Sequence, residues 1–380
     1  MQRQSVYILL FFVATLLVLG IVMLSSTSAF ALDSHGDPMY FVKRQSFWLV
    51  IGLLLCVVGA VVDYHFWQRT WWVWFALAAV CLALCFVPTI GMRINGASRW
   101  VNFRLFTFQP SEIGKIAAII FLAHWFSRHI DDSHRFKNGF LFPMLAVGLL
   151  MGLVFCEVDL GTTVLIASTM FAMMFVSGTR LRYLVPVALL GVGAVLFAAL
   201  HMKERVGRLL AFVDLEKYKE SGGMQQWQAL IAFGSGGVDG LGLGNGRQKM
   251  LYVPFAHTDF ILPMIGEELG LRATLLIVFC FLMIVLCGVL IAVHSRDRFG
   301  MLLGFGLVMT IGLQAAVNIG VTTALLPNKG LPLPFISYGG SNLAFCLLAI
   351  GILISIYRQG IFPKMDKATT RLRARVTPRI

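Results

Sequence analysis

Charged side chains are scarce in this sequence. Asp, Glu, Lys and Arg make up 13% of its 380 residues, against about 25% in an average soluble chain. The apolar set Ala, Val, Ile, Leu, Met, Phe, Trp, Tyr and Cys supplies 58%, more than a soluble fold of this size could cover with polar surface. Disorder, collagen, coiled coil and a disulfide scaffold fail on the same figures. Cysteine is sparse as well: the seven residues Cys56, Cys81, Cys85, Cys156, Cys280, Cys287 and Cys346 all lie in or beside apolar runs. Cys81 and Cys85 have helical spacing, and they read as small buried hydrophobes rather than a metal pair. None of the eight histidines has metal-ligand spacing. Basic residues outnumber acidic ones by 31 to 18, but no single patch gathers them, so nucleic acid is not an expected partner. What remains is an integral membrane protein.

Ten apolar segments can be marked: 6–24, 47–62, 71–87, 113–126, 140–156, 162–176, 183–200, 269–293, 299–321 and 343–357. Several fall short of the roughly 20 residues a straight span needs, which predicts extension into the flanking loops. Backbone polar groups must be paired in hydrocarbon, and the runs lack the alternation of barrel strands, so they are helices. The expected fold class is therefore all-α, a polytopic membrane protein with about ten transmembrane helices. Arg3, an apolar stretch and Ala29-Phe30-Ala31 imitate a cleavable signal. The apolar stretch is longer than a usual signal core, and it is read as an uncleaved first span.

With the N-terminus inside, the cytoplasmic side holds 16 Lys and Arg against 6 in the short outer loops, so both termini are expected in the cytoplasm. Residues 1–358 then form one membrane domain with a large extracytoplasmic loop at about 202–258. Residues 359–380 form a basic cytoplasmic tail suited to anionic lipid. Within the loop, seven of the thirteen residues at 234–246 are glycine, yet neither a dinucleotide-binding nor a phosphate-loop signature fits. Two readings stand open: a flexible turn region, or backbone packed closely on a lipid-linked substrate.

Charged groups at membrane depth are costly, so each is a functional candidate. Gln109-Pro110-Ser111-Glu112-Ile113-Gly114-Lys115 opens the fourth span. Pro110 suits a helix start, and Glu112 and Lys115, three apart, share a face and can pair. That pair could be structural or could line a substrate cavity. Glu157-Val158-Asp159 ends the fifth span, where its acids could bind a cation, orient a basic partner, or simply be solvated. His257-Thr258-Asp259-Phe260 marks the return of the long loop to the membrane, before Gly266-Glu267-Glu268. Desolvation there would raise the proton affinity of Asp259, as suits a general base. The run from Leu326 to Ser341, with Lys329 and Ser337, is dense in proline and glycine; such irregular backbone is tolerated at membrane depth only where it lines a cavity.

These clusters, in this order, resemble the SEDS family (shape, elongation, division and sporulation). The matching pieces are Asn95-Gly96-Ala97-Ser98-Arg99-Trp100, Gln109-Pro110-Ser111-Glu112 with Lys115, Asp159-Leu160-Gly161-Thr162, Gly242-Leu243-Gly244 before Lys249, His257-Thr258-Asp259-Phe260 and Ile336-Ser337-Tyr338-Gly339-Gly340-Ser341. The resemblance runs from the first span to Arg358. The stretch 326–330 and Ile265-Gly266-Glu267-Glu268 look more like the division-type, FtsW-like branch. Three departures stand out: Val158 and Asn342 where the family often has Pro and Ser, and Leu251 and Phe255 where division-type members commonly carry glutamates.

The resemblance implies a polymerase of peptidoglycan glycan strands that uses lipid II in the bacterial cytoplasmic (inner) membrane. It implies a class B penicillin-binding transpeptidase as partner, with other division proteins, and an inverting displacement of a lipid diphosphate. That chemistry needs a base on the attacking hydroxyl and positive charge on the leaving group. Asp259 is the expected base. Arg99, Lys115 and Lys249 are the expected diphosphate contacts, and Glu112, Asp159, His257, Lys329 and Ser337 complete the expected substrate site. His257 suits loop positioning better than catalysis. A divalent cation (Mg or Mn) could act with Asp159 and Asp259, although the sequence defines no ligand set. A lipid II flippase or a division-site scaffold is the competing reading. A secondary transporter would carry an inverted repeat, and none is visible.

Overall fold

The computed structural model describes residues 2–28, 37–88, 91–94, 97–102, 107–200, 203–250 and 256–361. The expected tail from 362 onward, Ala29-Phe30-Ala31, Arg104, and positions 95, 96, 251 and 255 lie outside the described residues.

Ten long helices coincide with the ten apolar segments. They are α1 (Gln2–Ser28), α2 (Tyr40–Val61), α4 (Trp71–Leu84), α5 (Pro110–Arg128), α6 (Phe142–Cys156), α7 (Leu160–Val176), α8 (Leu181–Leu200), α11 (Ile261–Val293), α12 (Arg298–Thr322) and α13 (Gly340–Ile361). A π-helical stretch, Phe136–Leu141, leads into α6. The short helix α3 (His65–Arg69) links α2 to α4, and α9 (Lys203–Val213) and α10 (Met224–Gly236) lie in the long loop. Nearly every helix reaches past its apolar segment into polar flanks, as hydrocarbon thickness requires.

Among the described residues six helical stretches are long and apolar enough to cross a membrane by themselves: α1, α2, α6 with its π-helical lead, α11, α12 and α13. The helices α4 and α7 and the first part of α8 are shorter apolar ones. Helix α5 has a different logic. Sixteen of its 19 residues are buried, so protein rather than lipid surrounds it and it can carry Glu112 and Lys115. Outward-facing Val50, Leu54, Val57 and Val61 on α2 show the opposite pattern of a lipid-facing stripe.

Small residues allow close crossings. A Cβ on Gly351 of α13 would stand 2.2 Å from the Cys56 carbonyl oxygen of α2, so backbone lies on backbone there, as membrane helices favour.

The all-α expectation has one exception. Between α4 and α5 lies a three-stranded antiparallel sheet, β1 (Gly91–Ile94), β2 (Ala97–Asn102) and β3 (Thr107–Phe108), in that order. Its pairs include Met92 with Trp100 and Val101 with Phe108. This small sheet carries Arg99.

The glycine-dense segment packs on this chain's own backbone. Its glycines seat on α11, which is broken at Gly270 (φ 75°). Leu241 and Gly242 donate backbone N–H bonds to the carbonyls of Glu267 and Glu268, and Leu271 donates back to Gly237. A Cβ on Gly240 would meet the Glu268 carbonyl oxygen at 2.3 Å, and one on Gly270 would meet the Val238 carbonyl oxygen at 2.4 Å. The close approach is to this chain's own helix. Only glycine leaves room for it.

Candidate functional site

The first turn of α5 supplies the site's central pair. Pro110 occupies the first helical turn, where a missing N–H costs nothing. One turn on, Lys115 Nζ lies 2.9 Å from Glu112 Oε2, with both side chains buried. Lys115 also donates to Gln314 Oε1 of α12 at 2.9 Å. Asn342 of α13 donates to Glu112 Oε1 at 3.2 Å. Position 342 is one of the sequence's departures from its resemblance, and here the amide meets a buried carboxylate. The two charges thus neutralise each other, and amides from two further helices supply the remaining hydrogen bonds, as buried charges require.

Asp159 caps α7. Its carboxylate accepts from Thr162 N–H at 3.2 Å, from Thr162 Oγ1 at 2.9 Å and from Gln109 Nε2 at 3.3 Å, the arrangement expected of an acidic N-cap. Val158, just before it, sits at φ 66°. Proline could not adopt that angle, because its ring holds φ near about −65°, so the departure at this position goes with a different local backbone. Arg99 reaches from β2 to donate to the Val158 carbonyl at 2.7 Å.

Glu157 is 0% exposed, which removes simple solvation as its explanation. Neither carboxyl oxygen has a hydrogen-bond partner among the described residues. Burial, reinforced by the nearby Asp159 charge, pushes the Glu157 carboxyl up to about 8, while Cys85 and Arg99 pull the other way.

Asp259 lies in the turn before α11 and is half-buried. Burial raises its carboxyl above the ordinary range, and the Thr258 hydroxyl, which donates to Oδ1 at 2.8 Å, and the Arg208 charge offset part of that rise. Across from it runs the irregular segment after α12. A Cβ on Gly330 would come within 2.8 Å of Asp259 Oδ2, so this segment lies directly on the carboxylate.

These groups face one polar cavity of about 360 Å³, with Arg99, Glu112, Lys115, Asp159 and Asp259 on its walls. Four expected residues do not line it. Lys249 is buried elsewhere, its Nζ 2.6 Å from Glu268 Oε1, 2.6 Å from Ser26 Oγ and 2.9 Å from the Gly244 carbonyl. It holds the glycine-dense segment to α1 and α11. That corrects its expected role as a diphosphate contact. Ser337 accepts from the Leu333 N–H at 2.8 Å and shapes its own loop. His257 stacks on Phe41 with ring centres 4.2 Å apart, and its carbonyl accepts from the Tyr338 N–H at 3.0 Å, a positioning role. Lys329 adjoins the wall at Gly330 without forming part of it.

Sequence reasoning missed Arg208, which α9 brings to the same cavity. It missed Gln314 and Asn318 too. The available signal for Arg208 was the alternation of charged and apolar residues at 203–213, an amphipathic helix in the loop. The amides of α12 had no signal beyond being polar inside an apolar run.

A family model for FtsW, RodA and SpoVE, described as cell cycle protein, matches residues 7–360. A "probable peptidoglycan glycosyltransferase FtsW" of Geobacter metallireducens is 40% identical over 93% of this chain and 95% of its own length. One of Coxiella burnetii is 38% identical over 90% and 93%. Among solved structures, the rod shape determining protein RodA of Thermus thermophilus superposes with a TM-score of 0.68 at 26% identity, covering 93% of this chain and 97% of that one. A chain of a peptidoglycan synthase complex, described by its coordination of polymerization and crosslinking, superposes with a TM-score of 0.76 at 24% identity, covering 94% and 98%; this last likeness concerns the fold.

Proposed function

The chain belongs to the FtsW/RodA/SpoVE family of cell cycle proteins, and from that premise we infer that it is a membrane-embedded peptidoglycan glycosyltransferase that polymerises glycan strands from lipid II. The observation that carries the mechanism is the meeting of one half-buried carboxylate, Asp259, with Arg99, Lys115 and Arg208 on a single cavity. A base and a set of cations are what glycosyl transfer from a lipid diphosphate demands.

The 4-hydroxyl of one sugar attacks the anomeric carbon of another, and the bond to the diphosphate breaks. Asp259 takes the hydroxyl proton as the new bond forms, since that hydroxyl is too weak an acid to ionise beforehand. A carboxyl raised by burial is better matched to this work near neutral pH than an ordinary aspartate. Arg99, Lys115 and Arg208 stabilise charge as it gathers on the departing diphosphate. Attack opposite the leaving group inverts the anomeric configuration. Among the described residues no group of three or more His, Cys, Asp or Glu could hold a metal. A divalent cation of the Mg or Mn kind would therefore depend on Asp259, Asp159 and the substrate's own phosphates, a mode typical of Mg²⁺. It would supply further positive charge to the diphosphate.

In this reading the cavity opens to the outer face of the bacterial cytoplasmic membrane, with both termini in the cytoplasm and 359–380 as a basic tail. The loop at 202–258 lies outside, and α9 and α10 roof the site. A class B penicillin-binding transpeptidase joins the glycan product, a partnership supported by the fold's likeness to a chain of a peptidoglycan synthase complex. Other division proteins belong to the same assembly.

Asp259→Asn tests the mechanism. It keeps size and hydrogen bonding but removes the base, and it should lower glycan polymerisation by the purified protein with its transpeptidase by about 100-fold or more. Lipid II binding should persist. A flippase would keep its transport and a scaffold its assembly, so unimpaired synthesis by folded Asp259→Asn protein would overturn the assignment.

A further inference from the structure

Helix α12 carries two buried amides one turn apart, Gln314 and Asn318. Both grip the irregular segment that crosses the cavity. Gln314 Nε2 donates to the Pro332 carbonyl at 2.8 Å, while its oxygen accepts from Lys115. Asn318 Nδ2 donates to the Leu331 carbonyl at 2.7 Å and to the Asp259 carbonyl at 2.8 Å. Both of its partners are acceptors, so the side chain must present its NH₂ and not its oxygen. One amide nitrogen therefore spends both protons tying the Asp259 turn to the 330–332 segment.

What the tie holds together is defined by Gly330. With no Cβ, that residue lets the segment lie against Asp259 Oδ2, where a methyl carbon would stand 2.8 Å away. Leu331 continues the same segment toward the Asp159 end, where a Cβ on Gly161 would meet Leu331 Cγ at 3.3 Å. The carboxylate is thus bounded by its own turn on one side and by Gly330 on the other. Asn318 bridges those two directly.

We propose that Asn318 is a positioning residue for glycosyl transfer, a two-pronged clasp that holds the Asp259 carboxylate against Gly330 at the distance proton abstraction needs. The proposal rests on Asp259 being the base. A hydrogen bond to the backbone of a catalytic turn does not change what the carboxylate is; it changes where it stands. Misplacement of a reacting group by about 1 Å can cost about 100-fold in rate.

The test uses the full chain with its transpeptidase and lipid II, comparing Asn318→Leu, Gly330→Ala and Asp259→Asn singly and the first two combined with the third. Asn318→Leu keeps the volume and removes both donors; Gly330→Ala keeps the clasp and pushes on Oδ2. Each should lower kcat by about 10- to 100-fold with KM changed by less than about twofold, the pattern of an interaction that matters in the transition state alone. In the Asp259→Asn background each should lower the residual rate by less than about threefold more, because groups acting through one residue are not additive. A merely structural role would depress the residual rate as much as it depresses the parent's.

Full kcat in either folded single variant, or losses that multiply with Asp259→Asn, would overturn the proposal. If Asn318→Leu does not fold, Asn318→Asp, which keeps the shape and removes both donors, decides by the same criteria. Inactive Asp259→Asn beside fully active Asn318→Leu and Gly330→Ala would sink the clasp and leave the base standing; fully active Asp259→Asn would sink both.

Discussion

Lys249 Nζ and Glu268 Oε1 lie 2.6 Å apart with both side chains almost wholly withdrawn from solvent. Around them Glu268 also accepts from Ser26 and from the Gly244 N–H, and the adjacent Glu267 accepts from the N–H groups of Arg247 and Gln248. Two acids, one lysine and a set of backbone donors bind the long loop to the ends of α1 and α11. Losing one member of such a pair strands the other.

Lys249→Ala should accordingly destabilise the protein by about 3–5 kcal/mol, the usual cost of an unpartnered buried charge. Thermal melting would read the loss. The KM for lipid II of the fraction that stays folded should be nearly unchanged. A stable Lys249→Ala protein with weakened substrate binding would return Lys249 to the substrate site.

Arg208 leads to the opposite result. It is exposed to solvent at the cavity. Arg208→Ala should leave melting within about 0.5 kcal/mol of the parent, as exposed substitutions do. It should lower kcat/KM for lipid II, and increasingly so at low salt, where screening is weak.

The Glu112–Lys115 pair separates structure from chemistry by a double substitution. Lys115→Ala alone leaves Glu112 unpaired and should cost about 3–5 kcal/mol. Replacing both charges together, Glu112→Leu with Lys115→Met, should recover most of that stability, since apolar replacements of buried pairs are often neutral. Polymerisation should stay lost, because the cation is gone. Full activity in the double variant would make the pair purely structural.

Glu157 sets a pH dependence with a definite sign. Its carboxyl stands at about 8 in the folded protein against an ordinary value of 4.5. Between those limits the native state keeps a proton that the unfolded chain has released, so stability falls as pH rises through that window and levels off above it. Glu157→Gln should flatten melting temperature against pH between about 4.5 and 8, and should be the more stable protein at the upper end. An unchanged slope in the Gln variant would place the titrating group elsewhere.

Much of the architecture was legible because it follows from local rules. A bilayer leaves the backbone little alternative to helix, so each apolar segment announced one; most extended past their expected ends, while α4 stopped three residues short of its own. Glu112 and Lys115 were readable as a pair because three residues of helix bring two side chains to one face. The sheet carrying Arg99 was not legible, for its strands are short and two of them hold polar or aromatic residues without clean alternation. Lys249 misled for a related reason: a lysine beside glycines has the same local look whether it faces a diphosphate or a carboxylate 19 residues away.

The sequence by itself determined the solvent of this protein, its helices and the identity of the groups able to do chemistry, because composition, period and residue type are properties of the chain. Which of those groups meet was decided by tertiary structure. Arg208 reaches the cavity because α9 carries it there, Lys249 misses it because the break at Gly270 seats the glycine segment on α11, and Asn318 touches Asp259 from 59 positions further along the chain. Contacts between distant segments depend on how whole helices pack and where their connections turn back. No local pattern encodes that distance.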